Sequence, residues 1–231
     1  MKKWYLTSIF CSFAIINPVM AAPDVAAPTD PCAEFKYSPR LNMTTSYGKL
    51  AYNYDYDRQS LTQMGREYGL IEPNMYASGL SLFGIDWSVT LNTTVRVAKD
   101  NSICILPASL DVFIGYQEPT IYIDKALDKN SCQYKLVLRH EHQHQQISIA
   151  ALEYFIPRIR EQILQNIAKV SPRNVNSLSQ TDRTTAEMND QYIEMIRPMV
   201  ESFKATMLKS QKRLDNTENY RFESSICTPK Q

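Results

Sequence analysis

Residues 133–155 read QYKLVLRHEHQHQQISIAALEYF, and the spacing inside that stretch decides what the middle of the chain is. Val137, His140, His144, Ile147, Ala151 and Phe155 recur at three and four residues, the period at which side chains emerge along one side of an α-helix. The pattern predicts a helix from Gln133 to about Ala168 with those two histidines on its inward face. Side chains four apart leave a helix within about 40° of each other and one turn apart, so two imidazoles at that spacing can close on one tetrahedral ion. His140-Glu141-His142-Gln143-His144 is therefore an HExxH motif. His140 and His144 are the candidate zinc ligands, and Glu141, on the flank of the same face, is the candidate general base and acid. His142 faces the other way. The chain has 3 histidines, all in these five residues, and two imidazoles on an apolar stripe would be costly without a partner.

Downstream, Ser171-Pro172-Arg173-Asn174 and the polar residues up to Gln180 form a connection. A second long helix is expected from Asp182 to Leu214, with Met188, Tyr192, Met195, Met199 and Phe203 on its apolar face. The two helices should pair antiparallel, and Pro157 and Pro198 inside them each remove one backbone donor. A catalytic zinc needs a third protein ligand and an open fourth position. Glu153, on the first helix, is half a turn around and too far along; Glu187 and Asp190 fall roughly 30 Å from the motif at about 1.5 Å of rise per residue. The end of the second helix returns beside the motif, which makes Asp215 the first choice for third ligand and Glu218 the alternative. Tyr220 is a candidate transition-state stabiliser.

Upstream, the period changes from helical to alternating. Strands are expected near Ile85 to Leu91, Thr94 to Ala98 together with Ile103 to Leu106, and Thr120 to Ile123, bounded by Gly84, Asp100-Asn101, Pro107 and Pro119. Tyr47, Leu50, Tyr52, Tyr54 and Tyr56, broken at Gly48, predict a short hairpin over Met43 to Tyr56. Ser60 is expected to cap a short helix that runs through Tyr68 and ends at Gly69. Trp87, Val89 and Leu91 alternate with polar neighbours, as in an antiparallel sheet with one buried face. The expected fold class is α+β: a small antiparallel sheet packed on a long antiparallel helix pair that carries the motif. The strand Thr120 to Asp124, just before the motif helix, is a candidate ledge that would hold a substrate backbone by strand addition.

Met1-Lys2-Lys3, the apolar run Leu6 to Ile16 and Asn17-Pro18-Val19-Met20-Ala21 read as a secretory signal over residues 1–21. Ala22 to Pro31 reads as a flexible lead-in, and 32–231 as a single domain. Loss of Lys2 and Lys3 takes Lys plus Arg from 25 to 23 against 24 acids, a net charge near −1. That balance argues against nucleic acid or another polyanion as partner. No other apolar run reaches the roughly 20 residues of a membrane span. Of 5 cysteines, Cys11 leaves with the leader, and the four that remain suggest two disulfides. Four cysteines allow three pairings, of which we expect Cys104 with Cys132 and Cys32 with Cys227; no CxxC spacing suggests a cysteine zinc site.

The chain resembles a group of bacterial exported proteins predicted to be zinc-dependent proteases, the domain of unknown function numbered 922. The matching residues are Tyr52 through Leu61 to Gly69, Gly79-Leu80-Ser81 through Trp87, then Cys104, Cys132 and His140 to His144 in order. Where that family has a Tyr-Asp-x-Glu-Thr-x-His-Gly segment, this chain has Leu214 to Arg221, keeping Asp215 and placing Tyr220 in the position of the histidine. Motif and resemblance together imply a periplasmic or extracellular zinc metallopeptidase whose substrate is a peptide, a protein or the peptide part of peptidoglycan. The rival from another class is a non-catalytic envelope binding or assembly protein with a structural metal or none.

Overall fold

The sequence of elements begins, after a single 3-10 turn at Pro31–Glu34, with strands β1 (Arg40–Ser46) and β2 (Ala51–Asn53) and helix α1 (Arg58–Glu67). Strands β3 (Gly79–Leu82), β4 (Ile85–Val97), β5 (Ile103–Tyr116) and β6 (Thr120–Ile123) follow. The remainder is helix α2 (Cys132–Asn166), strand β7 (Arg173–Val175) and helices α3 (Thr181–Leu214) and α4 (Thr217–Ile226). The structure is a computed structural model that describes residues 30–227; the expected leader over 1–21 and most of the lead-in lie outside the described residues. The class is α+β, as the periodicities predict.

The strands form two sheets, one ordered β1-β5-β4 with β7 beside the start of β5, the other ordered β2-β6-β3. Pairing is antiparallel between β4 and β5 and between β3 and β6, but parallel between β1 and β5 and between β2 and β6. The expectation of an all-antiparallel sheet is corrected accordingly. So is the hairpin over Met43 to Tyr56: β1 and β2 do not pair with each other. They travel beside β5 and β6, crossing from one sheet to the other where β5 passes to β6. Gly48, at φ 67°, makes that crossing. A Cβ there would come within 2.8 Å of the carbonyl oxygens of Tyr116 and Gln117, so close approach as well as backbone sign calls for glycine.

Strand β5 runs through Pro107, which the sequence reading takes as a boundary. Pro107 faces Thr93 at the point where the β4/β5 register shifts between Asn92 and Thr93, and at a bulge a proline's missing N–H costs no ladder bond. Helix α1 is capped by Asp57, whose Oδ1 accepts from the Ser60 N–H at 2.9 Å; Ser60 supplies the donor and not the cap. Gly69 closes that segment at φ 67°.

Helices α2, 35 residues, and α3, 34 residues, pack antiparallel over the first sheet. Val89 and Leu91 of β4 and Leu110, Val112 and Ile114 of β5 meet Leu152, Ile159 and Ile163 of α2 and Met188, Tyr192, Ile196, Val200 and Phe203 of α3 in one buried cluster. Each such side chain contributes roughly 1.5–3 kcal/mol of transfer free energy. The helix pair is pinned to the sheet by Asn189, which accepts from the Leu91 N–H at 2.9 Å. Pro157 and Pro198 lie within continuous helix, both exposed. The second sheet packs on the first turns of α2 through Ile121, Ile123 and Tyr134. This second contact puts β3 against the motif. Among the described residues, no helix is long and apolar enough to cross a membrane.

Two disulfides form, as expected, but with a different pairing: Cys32 with Cys104, and Cys132 with Cys227. Cys104 lies level with Asn174 of β7, beyond the far end of α2, whereas Cys132 is the first residue of α2. A 35-residue helix spans roughly 50 Å at about 1.5 Å per residue, so the expected Cys104 to Cys132 bridge cannot form. Cys227 reaches Cys132 because α3 returns the chain to the start of α2 and α4 folds back over it.

Candidate metal centre

Three segments far apart in sequence meet beside the third and fourth turns of α2. The helix contributes His140, Glu141 and His144, with only 6%, 4% and 8% of their surface exposed. Asp215, the C-cap of α3, brings a carboxylate. Its Oδ1 lies 3.1 Å from His140 Nε2 and 3.0 Å from His144 Nε2, and the two Nε2 atoms are 3.1 Å apart. These three residues form a group able to hold a metal ion.

The hydrogen bonds behind the rings fix what faces that point. His140 Nδ1 lies 2.9 Å from Glu223 Oε2, whose other oxygen is 3.6 Å from the Arg139 guanidinium. His144 Nδ1 faces Gln211 Oε1. The amide orientation is set because Gln211 Nε2 donates to the His144 carbonyl at 3.0 Å and to Ser148 Oγ at 2.8 Å. Both Nδ1 atoms therefore face acceptors and carry a ring proton, which aims both Nε2 atoms at the Asp215 oxygen, as lone pairs in the neutral rings and as donors in the protonated ones. Three acceptors converging this closely require positive charge between them, as a proton or a cation.

The acid–base balance follows from the same geometry. Burial would lower His144, but the hydrogen bond and charge of Asp215 outweigh it, and the imidazole is pushed up to about 8. His140 is raised for the same reasons, burial opposing and Asp215 and Glu141 prevailing. Burial would lift Asp215, yet the bonds from the two histidines hold it well below the ordinary carboxylate range. Glu141 is raised, chiefly by burial, against the opposing pull of His144 and of the Ser81 hydrogen bond. Ser81 Oγ donates to Glu141 Oε2 at 2.7 Å, so β3 holds the candidate base in place. Gly79 is required at that contact, since a Cβ would sit 2.5 Å from Glu141 Oε1.

Of the residues proposed from sequence, His140, Glu141, His144 and Asp215 come together, and Tyr220 joins them. Its hydroxyl donates to Asp215 Oδ1 at 2.8 Å, its ring stacks on His140 at 5.2 Å, and burial followed by Asp215 raises its pKa. Glu218, the alternative third ligand, is exposed and outside the donor group, because it lies on the solvent side of α4. His142 points away, to Tyr52 Oη at 3.2 Å and Gln145 Oε1 at 3.1 Å. Glu153 contacts Tyr47 and Glu187 pairs with Arg183, both at the surface. The Thr120 to Asp124 ledge is corrected: β6 is paired on both sides, by β2 and by β3, so its backbone has no free edge for strand addition. The edge strands of this sheet are β2 and β3, and β3 is the one that touches Glu141.

Sequence reasoning missed Glu223, Gln211 and Ser81. Gln211 was within reach of it, four residues before Asp215 and so on the same face of α3. Glu223 and Ser81 carried no such signal. The site opens into a cleft of about 1060 Å³ lined by β3, the loop before it, and the facing parts of α2, α3 and α4. No protein-family model matches this chain, and no curated protein or solved structure matches it either.

Proposed function

We propose that the chain is an exported zinc-dependent metallopeptidase that cleaves peptide bonds with an activated water. The observation that carries this reading is the convergence of His140 Nε2, His144 Nε2 and Asp215 Oδ1 within 3.1 Å of one another, on the wall of a cleft and next to a buried carboxylate. Donors about 2.0–2.1 Å from a tetrahedral zinc are roughly 3.3 Å apart, close to that triangle. Three protein donors would leave the fourth position of a bound zinc to water, which is the catalytic pattern and not the structural one. Zinc, when bound, supplies Lewis acidity and makes a water deprotonable at about neutral pH.

The protein's own residues account for the rest. Glu141, lifted by burial, is the base that accepts the water's proton and the acid that returns it to the leaving amine. Ser81 fixes its carboxylate on the β3 side. Glu223 and Gln211 hold the two rings in the tautomer that presents Nε2. Tyr220 keeps Asp215 oriented and stands where it can donate to developing negative charge. The free edge of β3, beside Glu141, is the ledge on which a substrate backbone would align. Two disulfides support an oxidising compartment, and with the leader-like N-terminus they support export to the periplasm or beyond. The likeness to the predicted zinc-dependent protease family points the same way.

The test is Glu141→Gln, measured beside the unaltered protein for bound metal and for hydrolysis of a broad peptide and peptidoglycan panel. The variant should retain one equivalent of zinc and lose turnover by a factor of about 10²–10⁴, the usual contribution of a positioned proton-transfer group. Unchanged turnover removes Glu141 from the mechanism. Absence of metal from both proteins removes the enzyme reading and favours an envelope binding role.

A further inference from the structure

The cleft beside the metal centre is larger than one small molecule needs. At about 1060 Å³ it exceeds the usual range of roughly 300–1,000 Å³ for such sites, which leaves room for several residues of an extended chain. Apart from the residues of the candidate metal centre, its charged lining residues are Glu72, Glu118, Lys212 and Arg221, all exposed, and they form the rim. Its walls are apolar: Ile71 and Met75 on the loop before β3, Val137 on α2, Phe83 after β3 and Met207 on α3, each half-buried.

A chain of direct contacts ties one of these walls to the candidate metal ligands. The Phe83 ring stands edge-on to the buried Tyr116 at 6.1 Å between centroids. The Tyr116 hydroxyl donates to the Ser148 carbonyl at 2.9 Å and lies 3.1 Å from Met207 Sδ. Ser148 is one helical turn past His144 and is held by Gln211, the same residue that holds His144. Phe83 and Met207 thus make an apolar surface one turn of helix from the second histidine, over a tyrosine whose polar end is sealed inside. A thioether beside an aromatic ring adapts to varied apolar shapes. The stem peptides of peptidoglycan carry small and charged side chains, which would leave this surface wet and its apolar atoms uncovered.

Resting on the peptidase reading above, we infer that the cleft selects polypeptide segments with a bulky apolar side chain next to the scissile bond, seated against Phe83 and Met207, in preference to peptidoglycan stems. The preference is a difference between ligands on one protein, so it is measurable without turnover. Zinc-loaded Glu141→Gln protein is titrated with fluorescent peptides identical except for Leu, Phe, Gly or Glu at one position. The Leu and Phe peptides should bind at least about tenfold tighter, the scale on which apolar pockets discriminate. Adding Phe83→Ala or Met207→Ala should shrink that ratio to about threefold or less, and because the ratio is taken within each variant, partial unfolding cancels. The protein with Glu141 intact is then given the same peptides and purified sacculi. Equal or tighter binding of the Gly or Glu peptides, a ratio unmoved by either wall substitution, or release of stem fragments without peptide cleavage overturns the inference. If no substrate is cleaved, the peptidase reading fails by itself while the binding ratio still decides whether the apolar wall is a recognition surface.

Discussion

Replacing Cys132 and Cys227 by Ser removes the covalent tie between the end of α4 and the first residue of α2, and its effect can be worked from the loop it closes. The bridged residues are 95 apart. Chain entropy for a loop of that length is about 16 cal/mol/K, or about 4.7 kcal/mol at 25 °C. The Cys32–Cys104 loop ends before this one begins, so neither cross-link shortens the other and the term applies in full. Domains of this kind are stable by roughly 5–15 kcal/mol, so the loss is a third of the total or more. It should fall unevenly. Within α4 only Glu223 is buried, and the helix reaches the site through the Glu223 bond to His140, the ion pair to Arg139 and the Tyr220 bond to Asp215. Without the bridge, α4 frays first and takes both groups from the metal centre. The assay pairs urea unfolding in excess chelator, which isolates the chain term, with zinc competition titration. The control is Cys32→Ser with Cys104→Ser: a separation of 72 gives a loop term of about 4.4 kcal/mol, with zinc affinity unchanged. A loss below about 1 kcal/mol together with unaltered zinc affinity in the Cys132/Cys227 variant would refute the reasoning that the bridge is what keeps α4 on the site.

Three further outcomes are expected. Glu223→Gln should weaken zinc binding by about 10–100-fold, the usual effect of losing the group behind a ligating imidazole; competition against a chromogenic chelator measures it, and an unchanged constant would assign Glu223 a packing role only. The metal-free protein should be most stable from about pH 4 to 6.5. His144, raised from 6.5 to about 8, contributes fully below 6.5 and loses that contribution as pH rises through 8, whereas the depressed Asp215 contributes above its ordinary 3.8 and loses it as pH falls below. Zinc must displace the His144 proton, so affinity should climb between pH 6 and 8; chelator-treated unfolding and zinc titrations over that range check both signs, and a flat profile would contradict them. Gly79→Ala places a methyl 2.5 Å from Glu141 Oε1 and 2.7 Å from Val137 Cγ1, so peptide turnover should drop by about tenfold or more while bound zinc stays at one equivalent, since a 1 Å displacement of a catalytic group costs on the order of a hundredfold.

Local periodicity carried further than any long-range inference. Helices α2 and α3 begin and end within two residues of their expected limits, because an amphipathic stripe is set by spacing along the chain alone. The same spacing put His140 and His144 together and, through the rise of an antiparallel pair, brought Asp215 to them. The short elements behaved differently. Strand β7 and helix α4 have 3 and 10 residues, too few for a period to stand out, and β1 and β2 look like a hairpin because alternation does not reveal which strand is the partner.

What the sequence determined by itself is the fold class, the helix pair and two candidate ligands on adjoining turns with Asp215 brought level with them, since each depends on helical repeat and rise. What only the tertiary structure decided is what depends on which distant segments become neighbours: the disulfide partners, the parallel strand pairs, the free edge at β3, and Ser81, Gln211 and Glu223 behind the candidate site residues. Those three reach across 60, 67 and 83 residues. A single Ser, Gln or Glu in the chain looks like any other surface polar residue until packing removes its water and leaves it one partner.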